Sequence, residues 1–333
     1  MTTESSSAAR GKALALIPAA AAVAYPFVLA AFHAVVSESP AGAGALLILA
    51  FALPLSGLAV VYRLTRAPEP SESVAAARLA YASLAAPPLF VLLGVGRGLL
   101  HIRVPELAIW GAFWMLAAVY VWFAPCAAPA DRIQPPSAAW RVAHGIAAAF
   151  IACYVLFHLT NHLFGLAGPE THAAIMKAGR TVYRSAFIEP LLVTLLLFQV
   201  LSGVRLAWRW SSFRIDAYRI FQVGSGAYLA PFILTHMNSA LVSARAVHKI
   251  DTDWGWASGA PVGLIHDAWN IRLLPHYALG VFFIIGHLTS GLRVVMLAHG
   301  VRAQIADRIW AAGLLAGAAL STAIICALCG LRI

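Results

Sequence analysis

The chain has 333 residues, of which 61% are hydrophobic and 11% charged, with a mean hydropathy of +0.81. That balance excludes a soluble globular domain and fits a polytopic membrane protein. The formal net charge of +10 does not call for a nucleic-acid partner, because the arginines fall at the ends of apolar segments, where they meet anionic headgroups and fix the side on which each loop lies.

Windows of about 20 apolar residues predict nine spans, over 14–36, 41–62, 78–100, 105–124, 138–165, 186–208, 218–244, 272–298 and 306–330. The polar tail 1–12 carries no convincing cleavage site, so the first span reads as a retained anchor. Pro87-Pro88 predicts a kink in the third span. After the fourth, Pro125, Pro129, Pro135 and Pro136 surround Asp131 and Arg132 and predict a linker over 125–137. The expected fold is thus an all-α integral membrane protein with a four-helix N-terminal extension, 1–124, and a five-helix C-terminal bundle, 138–333. Phe32-His33 and Phe157-His158 fall late in the first span of each block, too slight a match to establish duplication.

Fourteen of the 23 Lys and Arg residues fall on one set of alternate loops and nine on the other, which predicts the N-terminus inside and the C-terminus outside. The inner loop 205–219 is the densest basic surface. Four cysteines, Cys126, Cys153, Cys326 and Cys329, form no disulfide framework, and the C-x-x-C at 326–329 lies in an apolar span, where it reads as small packing residues.

Twelve histidines are present, and His144, His158, His236 and His287 fall deep in predicted spans, where a polar ring marks a candidate functional site. Imidazoles facing one another across helices are the usual ligands of a b-type haem, which takes a neutral nitrogen on each side of its iron. At about 1.5 Å of rise per residue, His158 and His236 come late in spans running outward and share the outer half with His162 and His276. His144 and His287 share the inner half. His144 and His158, 14 residues apart, lie within about 40° of one helix face, and His276 and His287, 11 apart, also share a face. His33, His101, His172, His248, His266 and His299 fall in loops or span ends and read as interfacial or solvated rings.

The last five spans resemble the single-chain, five-helix cytochrome b membrane-anchor subunit of succinate:quinone oxidoreductases and fumarate reductases, the cytochrome b558 type. WRVAHGIAAAFIACYVLFHLTNHLFG from Trp140 resembles the family's first helix, with an arginine and a histidine at the inner edge and a ligand histidine further along. RIFQVGSGAYLAPFILTH from Arg219 resembles the third, and YALGVFFIIGHLTSGLR from Tyr277 resembles the fourth. The resemblance implies His158 and His236 as axial ligands of the outer haem and His287 as one ligand of the inner haem. IEPLLVTLLLFQVLSGVRLAW from Ile188 resembles the second helix around Glu189 and Gly203, yet Gln199 stands where the fourth ligand histidine is expected. Three readings stay open there: no inner haem, a five-coordinate haem on His287, or His144 paired with His287.

The family's function implies a subunit that catalyses nothing alone. It anchors flavoprotein and iron–sulfur subunits to a bacterial-type cytoplasmic membrane and passes electrons between them and membrane quinone. Gln222 and Ser225, one turn apart near the inner face, with Arg141 and His144 at similar depth, form a candidate quinone cluster, although helix-to-helix bonding explains Gln222 and Ser225 nearly as well. Glu189 near the outer face reads as a proton-path or outer quinone group, or as a bond to a neighbouring helix. The competing classes are a membrane anchor for a redox sensor or other partner, and a haem-free structural or transport protein whose histidines bond helices together.

Overall fold

Apolar stretches of this length fold as helices because hydrocarbon offers no partner for a free backbone N–H or C=O. The computed structural model describes residues 2–66, 74–125 and 137–333, and among them the elements are helices, with no strand. Among the described residues seven helices are long and apolar enough to cross a membrane, or eight if one bent pair counts as a single span. Apart from its two end residues, the predicted linker, with Cys126 and Arg132, lies outside the described residues.

The helices divide into two compact units, the first holding Met1–Pro136 and Val204–Phe232 and the second Ser137–Gly203 and Ile233–Ile333. In the first, α1 (Thr2–Val35), α2 (Pro40–Arg66), α3 (Val74–Leu84), α4 (Ala86–Leu99) and α5 (Glu106–Phe123) correspond to the four predicted N-terminal spans. The kink expected at Pro87-Pro88 is a 65° bend between α3 and α4. The prolines sit in the first turn of α4, where a missing N–H costs nothing but a preceding helix cannot continue.

Buried aromatics join α1, α4 and α5: Tyr25 lies edge-on to Phe90, Phe90 to Trp110, and Trp110 to Trp114, at centroid separations of 6.2, 5.2 and 5.5 Å. The Trp110 indole N–H donates to the Ala22 carbonyl at 2.8 Å. Lys12 Nζ reaches the Trp122 and Ala124 carbonyls at 2.8 and 2.7 Å, a cation on the negative end of α5. α2 and α3 approach so closely that a Cβ at Gly57 would stand 2.3 Å from the Ala80 carbonyl oxygen.

The second unit begins with α6 (Ala138–Leu163), a 3-10 turn (Phe164–Ala167), α7 (Pro169–Tyr183) and α8 (Ile188–Trp210). α9 (Ala217–Met237) continues as a π-helix over Asn238–His248, and the unit boundaries fall within α8 and α9. Two short helices, α10 (Trp254–Ser258) and α11 (Gly263–His266), lead through a 3-10 turn (Asn270–Arg272) to α12 (Leu273–Ala298) and α13 (Ala303–Leu328).

The core of this unit is built from Ile151, Val155 and Leu159 of α6, Val281 of α12, and Ile324, Ala327 and Leu328 of α13, closed at one end by Trp254 and Leu264. Arg293 and Asp307, paired at 2.7 Å, and the bonds Trp310 Nε1 to Ser290 Oγ and Ser321 Oγ to the Ala278 carbonyl tie α12 to α13. α8 differs: along its whole length only Val200 and Ser202 are buried.

Two features depart from the sequence reading. Residues 169–183, read as part of a loop, form α7, which is polar in sum but turns His172 and Met176 inward. The predicted span 218–244 is helical, but Arg219, Gln222, Ser225 and His236 dilute it, so length and apolarity do not place it among the candidate crossings. Cys153, Cys326 and Cys329 are free.

Candidate functional site

At 100° per residue, His144 and His158 fall on the same stripe of α6 as the buried Ala147, Ile151 and Val155. His276 and His287 similarly share a stripe of α12 with buried Gly280 and Phe283. The faces that build the core therefore carry the histidines inward.

The second unit brings the predicted residues together in two pairs. His158 of α6 faces His236 of α9 with ring centroids 5.8 Å apart and planes at 72°. His144 of α6 faces His287 of α12 at 6.4 Å and 79°. Each pair joins two helices and leaves its rings half-buried. His158 makes no hydrogen bond to any described residue, although Tyr154 stacks on it at 5.6 Å.

His144 is held differently. Its Nδ1 lies 2.8 Å from Ser202 Oγ and its Nε2 lies 3.4 Å from Gln199 Nε2. Gln199 thus stands against the His144 ring, with its own Oε1 buried and unbonded. Gly203, one turn further along α8, leaves the Cε1 edge of that ring in van der Waals reach of the helix.

Beyond His158 the rings continue past the C-terminal end of α6. His162 lies 4.7 Å from His158 and 5.4 Å from His172 of α7, and Trp254 of α10 packs on His172 at 4.7 Å. Trp254 can lie there because residue 165 is glycine; a Cβ would fall 1.9 Å from the indole. His172 is only 2% exposed and its Nε2 bonds Asn161 Nδ2 at 3.2 Å, which corrects the solvated reading of this residue. Its pKa is held down to about 4, by burial first and by the Arg180 guanidinium second, against an upward pull from Asp253. His276 is likewise buried, whereas His101, His248, His266 and His299 are exposed as expected. Sequence spacing could not reveal His172, because nothing short of the fold of α7 and α10 shows what covers it.

Of the other candidates, Glu189 forms a two-pronged ion pair with Arg245, whose second arm is 3.3 Å long. This pair supports helix bonding for Glu189, and the carboxylate holds the Arg245 pKa above its ordinary value. Gln222 Oε1 accepts from Arg219 in the same helix, and Ser225 Oγ donates to the Gln222 carbonyl at 3.1 Å. Both belong to the first unit, while Arg141, exposed, belongs to the second.

Among the described residues no three or more His, Cys, Asp or Glu side chains converge as a metal cage. No family model, curated protein or solved structure matches the chain.

Proposed function

We propose that this chain is the haem b-containing membrane-anchor subunit of a succinate:quinone oxidoreductase or fumarate reductase, with nine spans in a bacterial-type cytoplasmic membrane. The observation that carries the reading is the His158–His236 pair at 5.8 Å. An imidazole nitrogen binds a first-row metal at about 2.0 Å and lies about 1.1 Å from its own ring centre, so two imidazoles sharing one metal would stand about 6.2 Å apart, centre to centre. The pair falls within about half an ångström of that spacing, on the helices the family resemblance assigns, and His158 spends no bond on the protein.

A haem held there supplies a one-electron carrier inside the membrane. The chain's own part is positional. α6 and α9 deliver the two rings, Tyr154 stacks against one of them, and the apolar core excludes water. The flavoprotein and iron–sulfur subunits are the proposed partners, with membrane quinone as electron acceptor or donor. For Gln222, Ser225 and Arg141 as a quinone cluster the sequence remains the support; the Arg219–Gln222 bond favours a structural role for Gln222.

The test is the reduced-minus-oxidised spectrum of the purified full chain with haem stoichiometry, repeated for His158→Ala and His236→Ala. Each substitution is expected to remove a low-spin b-type absorbance. A haem spectrum unchanged in both variants would sink the assignment, and a wild-type chain without haem would favour the helix-bonding reading. Co-purification of flavoprotein and iron–sulfur subunits separates the respiratory role from that of a redox-sensor anchor.

A further inference from the structure

We propose that Arg184, just past the C-terminal end of α7, anchors a binding site for a phosphate group at the membrane surface. The site lies apart from the histidine pairs and goes beyond the haem reading.

Charge placement comes first. Lys177, Arg180, Arg184, Arg245 and Lys249 are five of the nine basic residues that alternate-loop counting assigns to the outer side. Basic residues are sparse on that side as a rule, so five drawn to one region run against the bias. The fold brings three of them together. Arg180 and Arg184 both donate to Thr252 Oγ1, at 3.0 and 2.9 Å, and Arg245 of the π-helix lies within electrostatic reach of Arg184. Lys177 and Lys249 are exposed.

Counter-ions come second. Arg180 pairs with Asp251 at 3.0 Å and also donates to the Thr252 carbonyl at 2.8 Å, while Arg245 pairs with Glu189. Arg184 has no such partner among the described residues: its one bond goes to the neutral Thr252 hydroxyl, and its Nε and Nη1 are uncommitted. Three guanidiniums against two carboxylates leave one positive charge uncompensated at a half-buried position. Desolvation first, then Arg180 and Arg245, push the Arg184 pKa below its ordinary value, against an upward pull from Tyr183 and Asp251. A bound anion relieves that repulsion, and the planar fork of a guanidinium matches two oxygens of one phosphate.

Setting comes third. A Cβ at Gly179 would fall 2.3 Å from the Phe157 ring, so α7 lies tight against α6 and carries Arg180 and Arg184 on a fixed support. Arg184 stands four residues before α8, a candidate membrane span. Val182 and Phe187 flank it, 64% and 75% exposed, and Leu191 follows on α8, also exposed. A cation beside exposed apolar side chains at the mouth of a span fits an amphiphile, with the phosphate on Arg184 and acyl chains along Phe187 and Leu191. That apolar flank favours an anionic phospholipid headgroup over free phosphate as the source.

The test is titration of the delipidated full chain in detergent with phosphatidylglycerol, phosphatidylcholine and inorganic phosphate, with native mass spectrometry to count retained lipid and haem content measured alongside. Wild type is expected to hold phosphatidylglycerol more tightly than phosphatidylcholine. Arg184→Gln should weaken phosphatidylglycerol by about tenfold, the worth of one charge-assisted hydrogen bond. Arg184→Lys should fall between, because it keeps the charge without the fork. Thr252→Val removes the bond that Arg184 makes within the protein and should leave lipid binding intact, which separates a binding role from a structural one. Inorganic phosphate bound with the same dependence on Arg184, without a preference for phosphatidylglycerol, would keep the site and give it a soluble phosphate. Both lipids held alike and unmoved by Arg184→Gln would overturn the proposal. So would a loss of haem in Arg184→Gln with phosphatidylglycerol still bound, since the guanidinium would then serve a porphyrin carboxylate.

Discussion

A single histidine shows how burial alone changes what a residue does. In the unfolded chain His172 titrates near the ordinary value of about 6.5, whereas in the fold burial and Arg180 hold it to about 4. Between those two values the unfolded state binds the proton and the folded state does not. The contribution of this ring to stability is therefore whole above about pH 6.5 and is lost as the pH falls toward 4. The groups facing it are His162 of α6, Arg180 of α7 and Asp253 and Trp254 before and within α10, with Asn161 bonded to its Nε2. Hydrogen exchange of α7 in detergent, followed from pH 7.5 to 4.5, is expected to quicken as the pH falls. In His172→Gln, which can keep the bond to Asn161, that dependence should flatten. An equal slope in both proteins would show that other groups govern the acid sensitivity of this end.

At the scale of elements, close approach is set by what side chains are absent. Gly57 lets α2 lie against the backbone of α3, and the atom a Cβ would strike is the Ala80 carbonyl oxygen, which cannot swing aside as a side chain could. Gly57→Val is expected to cost about 3 kcal/mol, the upper end of the range for overpacked cores. A denaturation series in mixed micelles would show it, and a loss below about 1 kcal/mol would mean that α2 and α3 separate readily. The helices themselves were legible in the sequence because apolarity sustained over about 20 residues has one structural solution in hydrocarbon, and Pro87-Pro88 announced the bend. His158 with His236, and His144 with His287, were legible because depth follows from position along a helix. What stayed hidden is contact. That Gln199 and Ser202 engage His144, that Arg245 takes Glu189, and that α7 folds its histidine under Trp254 depends on which helix faces meet, and no periodicity within one segment encodes that.

For the whole molecule, the open quantity is the number of crossings, and its parity has a direct readout. Nine spans place the two termini on opposite faces, as the distribution of fourteen and nine basic residues predicts. Eight, counting the bent α3–α4 pair as one span and leaving α9 aside, place them on the same face. The histidine pairs favour nine. His158 and His236 each come late in their helices, and their rings are neighbours. If α6 runs outward and α8 returns, α9 must run outward again for His236 to reach the level of His158. The polar residues that dilute α9 are no obstacle, since a helix facing the interior of a bundle can carry Gln222, Ser225 and His236 where a lipid-facing one cannot. Reporter fusions that fluoresce only inside the cell, or are active only outside it, placed at residue 333 and within the 299–302 turn, should report the C-terminus outside and the turn inside. Both reporters inside would be incompatible with α13 as a crossing. The C-terminus inside with the turn outside would reverse α12 and α13, and with an inside N-terminus would give an even count of crossings. α9 would then lie within one leaflet, and the level shared by His158 and His236 would need another explanation.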